Sequence, residues 1–559
     1  MLGLIYILTA YYNGYVLHKV FLGKSYGSII AISSFVLGSL FSVTFVFLLT
    51  IIVGNLASAV SAYFILFSVL FILTAKRLVF VIRKFRVRRA HILMLALLFI
   101  FFVVFQRSFS YDPIHHNFLI ETHLYVDMGA HIPMIRYFSI GKNIVPDVPF
   151  YAGMGLVYHF MFDFYTAILE LLGLRIDYAI NIISALSFLF LINMIYKVST
   201  YLFKDKFIGY IAPALFIFTS DLSFIQLFAK YGVSLSGLVA IYHNNTYIQG
   251  NILGLTIPQD FFYMNVYLNQ RQMIFALLLL LFILYIVFQT TKWEIKKLLL
   301  IALLIGFSPF WNFSIIISIY LLLFTAFIFF KKLRKIIFYI TLLSLVLVLP
   351  QALFIKAHSF SHIIFRPGFI ISSNLTPLNF VLFWVWNLGV CLPLVAIALF
   401  YSNYFQRKIF LIFSSLFLAA NLFQFSPEML DNHKFFNIWG IVVSIFSAYA
   451  IVGLLQKGTP VRFLSFLLLL LATLSGITNI LIIKNDIYAK IPDYVQSDLM
   501  VWVNKNIKPG SILFTNGDIY DPASISGEKT FLGGIITYIL MEEDQTLELR
   551  FVMRFFWGM

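Results

Sequence analysis

The sequence predicts an all-α polytopic membrane protein with about fourteen transmembrane helices, and three observations predict it. Hydrophobic residues make up 61% of the chain and charged residues only 11%, where soluble domains carry roughly 25% charged residues. The apolar residues gather in long runs suited to a hydrocarbon core of ~30 Å. The lysines and arginines behind a formal charge of +16 crowd into short connections between alternate runs, as the positive-inside bias of cytoplasmic loops requires. In a soluble chain that charge would point to nucleic acid. Here the loops account for it, and no nucleic-acid partner is expected.

Taken in order, apolar runs at 2–18, 28–52, 55–75 and 90–106 read as four spans. The first lacks a basic leader and a small-residue cleavage site, so it reads as a retained span rather than a signal peptide. Lys76 to Arg89 (KRLVFVIRKFRVRR) is the densest basic stretch and belongs on the cytoplasmic side. The loop from Arg107 is then outside. If Met154–Leu172 crossed the membrane next, Lys197, Lys204 and Lys206 would be stranded outside. Its His159, Asp163 and Glu170 suit a helix lying along the outer surface instead, and 178–196 carries the chain inward.

Further spans fall at 207–219, 272–289, 298–309, 313–330, 336–354, 377–400, 408–424, 436–455 and 461–483, with basic inner connections and both termini outside. Ser308–Asn312 separates two short ones. The single Cys391 excludes an intrachain disulfide and a Cys-ligated metal site. Beyond Lys484 the composition turns balanced. An amphipathic helix, a turn at Lys508-Pro509-Gly510 and a strand Ser511–Thr515 are expected there, as a small α/β cap. These shifts divide the chain into N-terminal spans with a basic loop (1–106), an extracytoplasmic loop with surface helices (107–176), a transmembrane core (177–484) and an extracytoplasmic α/β segment (485–559).

Chemistry is expected in the polar stretch Tyr111–Asp177, which gathers acids, Gly/Pro turns and five of the 11 histidines. Asp127 and His131, four residues apart, share a helical face, with Glu121 and His123 just upstream. A carboxylate beside an imidazole can take a proton from an attacking hydroxyl. Asp127 also reads as the N-cap of a helix running to Tyr137, with Pro133 near its start, and spacing alone leaves both readings open. His115, His116, His123 and His131 lack a metal-ligand spacing such as HExxH. No metal site is assigned and none is required, although a divalent metal would find ligands there.

Arg271, and Lys434 beside His433, each open a span running from outside to inside. A cation there opposes the helix dipole by roughly 0.3–1 kcal/mol, and a docked anion would remove that penalty. Lys356, His358, His362 and Arg366 lie on a third outer loop. Snorkelling to lipid headgroups explains any one of these cations; together they favour a phosphate-binding outer cavity.

Asp127, Arg136, Gly141-Lys142-Asn143, Pro146, Pro149-Phe150-Tyr151 and Tyr158-His159, followed by an apolar helix, resemble the first extracytoplasmic loop of the GT-C glycosyltransferases. These polytopic enzymes use polyprenyl-phosphate sugars and include the protein O-mannosyltransferases and lipid A aminoarabinose transferases. The match covers about residues 107–200. Asn269–Gln272 (NQRQ), Asp431–Phe436 (DNHKFF) and the run Trp502-x-Asn504…Pro509-Gly510-x-x-Leu513-Phe514-Thr515-Asn516 are similar to prokaryotic members. The first three spans look like an addition to that core. Met128 stands where a second acid is frequent, and the Trp-Trp-Asp signature of oligosaccharyltransferases is absent, which argues against transfer to Asn.

The resemblance implies a GT-C-like core and an inverting glycosyltransferase, embedded in the cell or cytoplasmic membrane with its active site facing outside. It would move a sugar from a polyprenyl-phosphate donor to a lipid, glycan or protein acceptor. It implies catalytic roles for Asp127, His131 and Glu121, and puts Arg271, Lys434, His433, Arg366, Arg136 and His159 around the donor phosphate and substrate. Competing readings are a lipid-linked saccharide transporter, a polysaccharide repeat-unit polymerase and a non-catalytic relative. A transporter should carry charges at mid-depth within its spans, and these spans carry almost none.

Overall fold

The computed structural model describes the chain except for residues 84–88, 151, 154, 156–158, 219–220, 248–249, 253–254, 258–263, 357–362, 427–428, 516–517 and 532–559. Residues 84–88 of the basic stretch 76–89, the loop histidines His358 and His362, and the C-terminal tail 532–559 therefore lie outside what is described.

The protein is an all-α polytopic membrane protein, and every apolar run singled out above is helical. Among the described residues nine helices are long and apolar enough to cross a membrane. A tenth candidate is the pair Pro377–Leu388 and Cys391–Tyr401, bent by 91° at Gly389. The expected count of about fourteen falls where helices are short or less apolar: Leu2–Phe21, at 20 residues, is long enough but is not among the nine. Lys206–Ile217 and Ile295–Gly306 have 12 residues each, and a helix of that length reaches only about 18 Å.

Arg271–Gln289 is buried along nearly its whole length. It is apolar on all sides, as a helix surrounded by other helices must be. Ile176–Phe203 packs along it, and His433–Leu455 packs on Lys206–Ile217. Leu2–Phe21 and Ile30–Val53 approach through small residues. A Cβ added at Gly14 would meet the Ser34 carbonyl oxygen at 1.8 Å, and one at Gly38 the Ala10 carbonyl oxygen at 2.0 Å. Such contact is the packing that membrane helices use in place of a hydrophobic drive.

Above the helices lies a small polar layer. Phe109–Asp112, Asn117–Glu121 and Tyr488–Pro492 form a three-stranded antiparallel sheet, with Phe118 opposite Ile491. The loop that follows Arg89–Ser108 and the C-terminal segment are thus joined in one sheet. Helix Tyr125–Ser139 follows it, then helix Met161–Leu171. In the latter, residues 161–169 are all buried. At 11 residues it is too short to cross, but its sides are covered, where a helix resting in the interface would keep one face open. The Phe310 carbonyl, at the break between two short helices, accepts both the Phe160 and Met161 N–H at 3.0 Å, satisfying donors that a helix start leaves over.

The C-terminal segment contributes helix Asp498–Asn506, capped by Ser497, and a short parallel pair, Ile512–Leu513 with Lys529–Thr530. The strand expected over Ser511–Thr515 is confined to those two residues.

Candidate active site

Asp127 sits in the first turn of helix Tyr125–Ser139, where the helix dipole favours an anion. It is not the cap: Leu124 holds that position with no side-chain cap bond, and Pro133 lies mid-helix rather than near the start. One turn on, His131 points the same way and is buried. Its Nδ1 lies 2.9 Å from Asp163 Oδ1, the two side chains being 6% and 5% exposed. Burial disfavours the imidazolium, but the charge and hydrogen bond of Asp163, with the charge of Asp127, more than offset it, and His131 titrates above an ordinary histidine.

Among the described residues nothing hydrogen-bonds to the Asp127 carboxylate, which is half-buried. Burial raises its pKa, with His131 and Lys434 opposing and Asp431 adding to the rise. A carboxylate held this way is a stronger base than a solvated one. His159, two residues before helix Met161–Leu171, is buried beside the same charges. Burial, then Lys434 and His131, lower its pKa well below the usual value and keep it neutral.

The fourth side of the site comes from the start of helix His433–Leu455. Lys434 Nζ lies 2.8 Å from Asp431 Oδ1. The expected penalty for a cation at a helix start is therefore offset from within, by an acid three residues earlier. His433 is buried against the Leu430 carbonyl at 2.9 Å. The C-terminal segment closes over this group. The Tyr520 hydroxyl donates to the Tyr125 carbonyl oxygen, and a Cβ at Gly129 would meet Ile519 Cγ1 at 2.6 Å. Asp127, His131, His159, His433 and Lys434 are thus brought together. Asp163, Asp431 and Tyr520 join them without having been among the candidates.

The other candidates stand elsewhere. Arg136 is buried and forks onto Asp493 at 2.5 and 2.9 Å, reaches Glu170 at 3.3 Å and donates to the Ile525 carbonyl oxygen at 2.9 Å. It clasps the C-terminal segment rather than facing a ligand. Arg271 is wholly enclosed: it donates to the Leu268 carbonyl oxygen and to Ser108 Oγ at 2.7 Å and lies over the Phe105 ring. In this conformation it offers nothing to a ligand outside.

Glu121 is 1% exposed, with Arg107 Nη1 at 3.4 Å. Burial pushes its carboxyl up to about 8, Arg107 and Arg271 opposing and Asp486 reinforcing. It belongs to this second charge group rather than to that of Asp127. Arg366 is exposed and bonds Ser372 and Gln424, each at 3.0 Å.

The four loop histidines do not cluster. His115 bonds Asp112 at 2.6 Å, His116 Tyr111 at 3.2 Å, His123 Asp486 at 2.7 Å and His131 Asp163. Among the described residues no group of three or more His, Cys, Asp and Glu is arranged to hold a metal ion.

No protein-family model matches the chain, and no curated protein matches it. Among solved structures it is similar to the archaeal oligosaccharyltransferase AglB from Archaeoglobus fulgidus in complex with an inhibitory peptide and a dolichol-phosphate. Identity is 12% and the TM-score 0.36, over 79% of this chain and 64% of that one. The chain thus spans 64% of the length of the structure it matches.

Proposed function

We propose that this protein is a membrane-embedded inverting glycosyltransferase that uses a polyprenyl-phosphate-linked sugar. The observation that carries the reading is the meeting of Asp127, an acid with no hydrogen-bond partner among the described residues, with the His131–Asp163 pair and Lys434, from three separate stretches of chain. Asp127 takes the proton of the acceptor hydroxyl as its oxygen attacks the anomeric carbon. The bond from that carbon to the phosphate oxygen breaks, and its electron pair leaves with the phosphate. Lys434 neutralises that charge, exchanging Asp431 for the donor. His131, held by Asp163, titrates above an ordinary histidine, and its charge opposes the rise that burial imposes on Asp127. Arg271 and Arg136 support the site from within and take no part in donor binding. The described spans hold their charges at helix ends, which does not favour a transporter.

The test is single-turnover transfer from a polyprenyl-phosphate sugar by Asp127→Asn in lipid nanodiscs. Turnover should fall by about 10²–10⁴-fold, the usual share of a general base, with donor binding retained. Undiminished turnover would remove Asp127 from the reaction.

A further inference from the structure

We propose that the helical hairpin Ser223–Tyr242 is embedded in the membrane leaflet on the Asp127 side, with one face of its second helix lying against lipid acyl chains. This placement does not depend on the transferase reading.

The chain enters the hairpin below the membrane surface. Helix Lys206–Ile217 has 12 residues and reaches about 18 Å, well short of a ~30 Å core. Phe218, which ends it, packs on Gly476, where an added Cβ would meet the Phe218 Cα at 2.5 Å. Beside it, Ser475 Oγ accepts the Phe224 N–H at 3.2 Å and donates to the Asp221 carbonyl oxygen at 3.0 Å.

The span Thr459–Asn485 fixes the depth of that joint. Its 27 residues measure about 40 Å, roughly 10 Å more than the core. Ser475 is ten residues from Asn485, or about 15 Å. Even with all the surplus beyond that end, Ser475 lies about 5 Å inside the hydrocarbon. The hairpin's other end is tied at the surface, where Asn485 Nδ2 donates to the carbonyl oxygens of Tyr242 at 2.7 Å and Asn244 at 3.1 Å. Its two helices, Ser223–Tyr231 and Leu235–Tyr242, therefore occupy the zone between acyl chains and headgroups.

Their surface fits that zone. In the second helix Gly237 and Ile241 are buried, and Leu235, Leu238, Val239 and Tyr242 are all exposed, Leu235 by 80%. The spacing i, i+3, i+4, i+7 puts those four on one face. Val233 in the turn is exposed with them. Such a stripe marks a membrane or a protein contact, and interfacial helices bury one about 5–10 Å into the headgroup and acyl boundary. Here it continues the apolar free side of the span, where Phe466, Leu470 and Ile477 are exposed. Leu222–Tyr247 holds one lysine and no acid. Lys484 Nζ lies 3.8 Å from the centre of the Tyr242 ring at one end of the stripe, and Lys230 precedes the turn at the other. Lysines so placed keep their stems in apolar surroundings and their charges among phosphates. A second copy of the chain fits less well, since five side chains fall well short of the ~800 Å² that each partner in a stable interface buries.

The experiment uses the full-length protein in phosphatidylcholine vesicles with iodide available on both sides. Leu235→Cys and Leu238→Cys each carry an environment-sensitive fluorophore, and Lys505→Cys, on the exposed helix Asp498–Asn506, is the reference in water. Cys391 is buried and should take no label, which the wild type checks. A nitroxide placed high on the lipid acyl chain should quench the labels at 235 and 238 severalfold more than the label at 505, and iodide should do the reverse. Iodide quenching at 235 and 238 equal to that at 505 places the hairpin in water and overturns the proposal. Protection of both labels from both quenchers means that protein covers the stripe, and overturns it as well. Leu235 projects far enough to be replaced without disturbing the packing, so the result does not rest on the Leu238 variant folding.

Discussion

His131 Nδ1 and Asp163 Oδ1, 32 residues apart in sequence, lie 2.9 Å from each other in almost complete enclosure. The histidine titrates above its usual value of 6.5. Its contribution to stability is therefore fully present below 6.5 and is lost as pH rises through the folded value. Asp163→Asn should cost about 3–5 kcal/mol at pH 6, as breaking a buried pair does, and should flatten stability above that pH. Denaturation midpoints at pH 6 and 9 check this. An unchanged slope in the variant would mean that His131 does not carry it.

Glu121 gives a second pH dependence. Its folded value of about 8 lies above the ordinary 4.5. Between those two pH values the folded carboxyl keeps a proton that the unfolded chain releases, so stability falls as pH rises across that window and levels off above it. Glu121→Gln should remove a loss on the order of a few kcal/mol and be the more stable protein at pH 8. Thermal scans at pH 5 and 8 on both proteins measure it.

Lys434→Gln addresses the donor. A charge-assisted hydrogen bond in a partly dry site contributes roughly 1.5–3 kcal/mol, so donor affinity should weaken about tenfold to a hundredfold. The empty protein should lose stability too, since Asp431 forfeits its partner at 2.8 Å. Titration with a polyprenyl-phosphate sugar, beside a thermal scan without it, separates the two effects. An unchanged donor affinity would take Lys434 out of the phosphate site.

Arg136→Met should release the C-terminal segment. It leaves Asp493 and Glu170 without their shared cation, again about 3–5 kcal/mol. Limited proteolysis should cut within 493–530 far faster than in the wild type, while the membrane helices stay protected. Arg136→Lys keeps the charge but loses the fork, and cleavage should fall between the two.

Every long apolar run was readable as a helix, because burial in lipid leaves the backbone no other way to satisfy itself. The face shared by Asp127 and His131 was readable from their spacing. Asp163 was the harder case. An acid inside GLVYHFMFDFYTAILELL fits both an interfacial polar face and a buried partner, and only the covered sides of Met161–Leu171 decide between them. Asp431, three residues before Lys434, carried a legible signal in that interval. The clasp of Arg136 on Asp493 and the pairing of 117–121 with 488–492 were not legible, since alternation along a strand does not name its partner.

That pairing has a consequence for biogenesis. Thr122 and Asp486, bonded at 2.6 Å, are 364 residues apart. At about 5–20 residues per second, synthesis leaves the strands Phe109–Asp112 and Asn117–Glu121 waiting on the order of half a minute for the strand that completes their sheet. Throughout that interval Asn117–Glu121 presents an unpaired edge, the kind of surface that chaperones shield and stray strands capture. The loop carrying Asp127 is therefore assembled last although it is made early. A ribosome that stalls within the later spans would release a protein with its earlier helices inserted and the polar layer around Asp127 still open.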